Sequence, residues 1–167
     1  MAFKRYYYPL CNFTYTFGHG IVDDHDLYIH VLTSQIEMKE WKLIRGLLDC
    51  RTVQKSDKIT FQGLQQACEI QIEEYAGRDY RYAILINAGK HKMVAEIFAH
   101  TLRLGNLNVN VFVDDIDEAF RWLGYDQITV NYLKGKIKKY VQNVDRELPH
   151  QTGTGLMDVT KCMHKEA

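Results

Sequence analysis

Residues 82–113 read YAILINAGKHKMVAEIFAHTLRLGNLNVNVFV, and this stretch decides the fold. Tyr82 to Ile86 is an apolar run of strand length, and Val109 to Val113 is a second strand rich in β-branched residues. Between them Met93, Val94, Ile97, Phe98, Thr101 and Leu102 recur at the spacing of one helix face. Asn87-Ala88-Gly89 leads into that helix and Gly105 ends it. Strand, helix and strand in this order call for a crossover connection, so the centre of the sheet is parallel.

The same alternation extends upstream. Leu43, Ile44, Leu47 and Leu48 make a central strand that stops in polar Asp49-Cys50-Arg51, with a loop after it. Thr60 caps a helix carrying Phe61, Leu64, Ala67, Cys68, Ile72 and Tyr75, with Gly77 as its stop. Nearer the start, Asn12 to Phe17 alternates polar and aromatic residues as a half-buried strand does, and Phe3 to Tyr8, closing on Pro9, is its hairpin partner at the sheet edge. Gly18-His19-Gly20 then breaks the strand, and Asp23 or Asp24 caps a first helix running to about Glu37.

Downstream, Asp114 or Asp115 caps a short helix with Ala119, Phe120, Trp122 and Leu123, stopped by Gly124. A further helix from Asp126 sets Leu133, Ile137 and Tyr140 opposite Lys134, Lys136, Lys138 and Lys139. The expected architecture is therefore α/β: a mixed sheet of about five strands with parallel central strands, an N-terminal antiparallel hairpin, helices covering the sheet and an extra C-terminal helix. Residues 1–148 are expected to form a single domain, and 149–167, which lack periodicity, a flexible C-terminal tail.

Composition narrows the function classes. The chain has 167 residues, 46% of them apolar, which suffices for one core without disulfides or a structural metal. Basic and acidic residues number 21 each, so there is no overall positive field to favour nucleic acid. Cys11, Cys50, Cys68 and Cys162 contain no CxxC pair and read as reduced thiols. Neither a signal peptide nor a membrane-length apolar run is present, so a cytoplasmic location is expected.

Across Asn12 to Gly124 the chain resembles the STAS-like superfamily, named for sulfate transporters and anti-sigma-factor antagonists, and within it the small stand-alone bacterial proteins of unknown function. The resemblance rests on Gly18 and Gly20 before the first helix, Trp41 followed by the Leu47-Leu48-Asp49-x-Arg51 strand end, the strand Tyr82 to Ile86, and the block Val111 to Leu123. It implies a regulatory module in signalling that binds a protein partner. Phosphorylated antagonists of the superfamily start the helix after the central strand with an Asp-Ser-x-Gly-type motif. Here Ser56-Asp57-Lys58-Ile59-Thr60-Phe61 stands in its place, leaving Ser56 and Thr60 as candidate phosphosites.

Two strand ends carry the candidate ligand-binding residues. Asn87, Gly89, Lys90 and Lys92 follow a buried strand and open a helix, an arrangement that suits an anion, and Asp49 and Arg51 end the neighbouring strand. Cys50 has no base at a recognisable spacing, and the seven histidines form no HxH or HExxH pattern. No catalytic residue, metal or cofactor is assigned. The leading expectation is a non-enzymatic binding or regulatory module with a protein partner. The alternative is a small-molecule or anion (nucleotide, phosphate or lipid) binding protein using the strand ends near Asp49 and Lys90. A homodimer through the N-terminal hairpin or an aromatic helix face is expected from the tyrosine content and from the crowding of Phe3, Tyr6, Tyr7 and Tyr8 on one edge strand.

Overall fold

A computed structural model describes residues 2–89 and 91–147. Lys90 and the expected tail, 149–167, lie outside them. A first compact unit ends at Tyr132 and a second begins at Leu133. The first unit holds five strands, β1 (Phe3–Tyr8), β2 (Phe13–Asp23), β3 (Leu43–Lys58), β4 (Asp79–Ile86) and β5 (Asn108–Val113). Its helices are α1 (Asp24–Glu37), α2 (Phe61–Tyr75), α3 (Lys92–Leu104) and α4 (Ile116–Leu123), and a fifth, α5 (Gln127–Glu147), runs on into the second unit.

The caps follow from the sequence. Asp23, Thr60 and Asp115 each accept a backbone N–H from the first turn of α1, α2 and α4 respectively, which satisfies donors that a helix leaves free. Gly124 takes φ 90 at the end of α4, a conformation that disfavours any side chain with a Cβ.

The sheet order is β1-β2-β3-β4-β5, with β1 antiparallel to β2 and every other pair parallel. The expected mixed five-stranded sheet is thus the observed one. Because each parallel crossover steps to the next strand in the same direction, and such crossovers are right-handed, α1, α2 and α3 all fall on one face. There they pack Leu27, Val31, Leu64, Phe98 and Leu102 onto Ile44, Leu48, Tyr80, Tyr82 and Ile84. The other face receives α4, whose Phe120 lies 5.5 Å from the Phe13 ring and whose Trp122 lies 5.7 Å from that of Phe112.

Two strand boundaries differ from the sequence reading. Gly18 to Gly20 does not break β2: the strand continues to Asp23 through shifts of register, with Gly20 at φ 68 marking a bulge. Correspondingly β3 does not stop at Arg51 but runs to Lys58, since the extended β2 offers it partners from His19↔Thr52 to Asp23↔Lys58.

Tyr82 holds the centre of the helical face. It pairs with Gly46 on β3, stacks 5.6 Å from Tyr80, and passes over Gly46 to bring its hydroxyl 3.2 Å from Thr16 Oγ1 on β2. A Cβ at position 46 would run into this ring. Gly46→Ala is therefore expected to cost roughly 1–3 kcal/mol of unfolding free energy in urea titration, with Gly46→Ala/Tyr82→Leu recovering part of it.

A polar hub ties the edge strand to α1. The Arg5 guanidinium donates to His30 Nδ1 at 2.6 Å, the His30 carbonyl at 2.7 Å and Glu37 at 2.7 Å. A guanidinium has no acceptor, so Nδ1 of His30 accepts and the ring is neutral. Burial, and then the Arg5 charge, hold the His30 imidazole well below its ordinary 6.5. The unfolded chain consequently binds a proton here that the folded chain refuses. Stability should be intact above pH 6.5 and fall by up to about 1.4 kcal/mol per pH unit below it, and this slope should shrink in His30→Gln, as measured by denaturation at several pH values.

Candidate functional site

Beyond its last pairing with β4, at Asp49↔Leu85, β3 continues with β2 alone, so the two form a ribbon that projects past the carboxyl edge of the sheet. Strand β4 ends at Ile86, which leaves the facing carbonyls of β3 without a ladder partner. Side chains of the β4–α3 loop supply one. Asn87 Nδ2 donates to the Arg51 carbonyl at 2.6 Å, and His91 Nε2 lies 3.1 Å from the Val53 carbonyl. A carbonyl oxygen only accepts, so Nε2 carries a proton, and in the neutral ring Nδ1 accepts from the Ser56 hydroxyl at 2.7 Å. To reach both partners the loop turns through Gly89 at φ 84 and His91 at φ 63, the second a left-handed conformation rare for a residue with a Cβ.

Beneath this closure lies an apolar cavity of about 60 Å³. Leu48, Cys50, Leu64, Ile84, Ile86 and Phe98 line it. A space of that size could hold about two waters, but its lining offers too few polar groups to bind them, so an apolar occupant is favoured. Outside is an open cleft of about 650 Å³ bordered by Lys55, Asp57, Gly89, Lys92 and Met93. Ser56, Ile59, His91 and Val94 border both spaces.

Successive strand residues face opposite sides of a sheet, so Asp49 points away from this cavity, toward the side of α4. Its carboxylate is 1% exposed and fully engaged. Arg51 donates to it from Nε at 3.0 Å, from Nη2 at 2.8 Å and from its backbone N–H at 3.2 Å, while the Tyr15 hydroxyl donates at 3.1 Å. The hydrogen bonds it donates to Asp49 hold the Arg51 guanidinium above its ordinary value, and burial followed by the Asp49 charge raises the Tyr15 phenol. With its acceptors occupied from within, this pair is a structural ion pair.

The structure accordingly separates the residues singled out in the sequence. Arg51 and Asn87 meet through the Arg51 carbonyl; Gly89, Lys92 and Ser56 border the cleft; Asp49 lies on the opposite face. Thr60 is engaged in capping, its hydroxyl donating to Asp24 at 2.7 Å and accepting from the Gly63 N–H at 3.0 Å. The sequence reading missed Ile59, Val94 and Lys55, and took His91 only as part of the Asn87 to Lys92 turn, without its partner Ser56. His91 stands 35 residues from Ser56, and no local spacing links the two.

Comparison with known proteins adds little beyond the fold. No family model and no curated protein matches the chain. Among solved structures it is similar to an uncharacterized protein from the DUF3478 family with a SpoIIAA-like fold, from Shewanella loihica PV-4. The two are 13% identical, with 66% of this chain and 83% of that chain covered and a TM-score of 0.46. Among the described residues no helix is long and apolar enough to cross a membrane, and no group of three or more His, Cys, Asp or Glu could hold a metal ion.

Burial, and secondarily the Asp49 charge, push the Cys50 thiol up to about 12. The thiolate is the reactive form, so at pH 8 alkylation by iodoacetamide should be on the order of a thousandfold slower than for a free thiol. Timed labelling followed by peptide mass spectrometry checks this, and complete modification within minutes in the folded protein contradicts it.

Proposed function

We propose that the chain is a non-enzymatic binding module that receives a small molecule at the carboxyl edge of its sheet, on the side of α1, α2 and α3. One observation carries this reading: a preformed apolar cavity adjoins an open cleft, with Ser56, Ile59, His91 and Val94 bordering both. An apolar space beside a few convergent polar groups at a strand-end crevice is the usual form of a small-molecule site. The high-lying Cys50 thiol argues against covalent catalysis there. A ligand spanning the two spaces would touch both the β2–β3 ribbon and the β4–α3 loop, so its occupancy would be felt at the surface, as a regulatory module requires.

A second reading, recognition of a protein partner in signalling, draws on exposed apolar side chains at this same edge. Ile21, Phe61 and Met93 are 49%, 71% and 74% exposed where β2 ends and where α2 and α3 begin. The resemblance to STAS-like modules points the same way. Such a partner would sit over the cleft and read whether it is filled.

Ala95, 8% exposed on α3, lines the cavity, and Ala95→Leu should fill it without unfolding the domain. In a fragment screen by thermal shift, ligands with a short apolar group should raise the wild-type Tm by roughly 5 °C or more at a hundredfold over Kd. The same ligands should leave Ala95→Leu unmoved. Ligands that stabilise both proteins equally would place the site elsewhere and sink this reading.

A further inference from the structure

Resting on that reading, we infer that the ligand is a short-chain carboxylic acid whose apolar tail fills the cavity and whose carboxylate stands in the cleft beside Ser56. The tail is set by volume and polarity. About 60 Å³ walled by Leu48, Leu64, Ile84, Ile86 and Phe98 admits a short apolar group and would leave a polar one without partners. Filling it restores dispersion contacts that the lining side chains lack.

The head is set by the cleft. Two lysines, Lys55 and Lys92, face it against one carboxylate, Asp57, so the described charge bordering the cleft favours an anion. Ser56 borders both spaces, so it stands where tail and head would join. That hydroxyl now donates to His91 Nδ1, and turning it toward a carboxylate exchanges a neutral acceptor for a charged one. A planar two-oxygen anion suits a cleft with one hydroxyl donor and two bordering lysines better than a neutral alcohol or an amine does.

Calorimetry at pH 7.5 with the sodium salts from propanoate to octanoate, and with 1-hexanol and hexylamine, tests this. Affinity of the acids should rise about fourfold per added methylene until the tail fills the cavity, and then level off. Hexanoate should bind at least about tenfold more tightly than 1-hexanol or hexylamine, and Lys55→Ala/Lys92→Ala should reduce hexanoate to the level of the alcohol. Equal affinity for acid and alcohol, an acid affinity untouched by the double lysine variant, or no binding of any acid at millimolar concentration overturns the assignment. Ala95→Leu separates the two levels of inference. If acid and alcohol bind wild type equally and Ala95→Leu abolishes both, the cavity reading stands while the head group is reassigned. If hexanoate binds the variant as it binds wild type, the cavity reading falls too.

Discussion

The handedness of the crossovers governs this molecule. Four parallel strands follow one another in chain order, each crossover steps the same way, and right-handed turns then put α1, α2 and α3 on a single face. Three helices over one face make a deep apolar layer there. The opposite face, within the first unit, receives the short α4. A side chain's role thus depends on which way its strand position points. Asp49 and Cys50 are adjacent in the chain, yet one is locked in an ion pair on the α4 side and the other lines the cavity on the helical side.

The helical face is held by large side chains threaded with polar links. Tyr82 reaches across Gly46 to Thr16, and Thr16 in turn accepts from Arg5 at 3.4 Å, so strands β4, β2 and β1 are tied across the sheet. Arg5 then joins β1 to α1 through His30 and Glu37. A buried guanidinium is tolerable only because its donors are met, and the buried imidazole beside it must stay neutral to serve as acceptor. The edge strand is fastened further by ring contacts, with Tyr7 edge-on to Trp41 at 6.1 Å and Tyr6 stacked on Tyr15 at 6.3 Å.

The site arises where this regularity ends. The β2–β3 ribbon outruns β4, and the exposed carbonyl edge of β3 is capped by Asn87 and His91 in place of a strand. Side-chain caps at one hydrogen bond each are a looser closure than a ladder, and they leave an apolar cavity beneath and an open cleft outside. The left-handed backbone of His91 is the local strain that lets its ring bridge Ser56 and Val53.

The element order, the cap at Thr60, the choice of Asp23 or Asp24 and of Asp114 or Asp115 for two further caps, and the parallel centre of the sheet were legible in the sequence, because capping residues and apolar periodicity act over a few neighbouring residues. The extension of β2 through Gly18 and Gly20 was not, since a glycine pair looks the same in a turn and in a bulged strand until a partner strand is present to claim its backbone groups. Nor was the site. The Asn87 to Lys92 loop stood out as a strand-to-helix turn, but its meeting with Ser56 and the apolar lining from Leu64 and Phe98 depend on which face each crossover covers and where each strand loses its neighbour. Those are outcomes of long-range pairing and packing, and only the folded chain decides them.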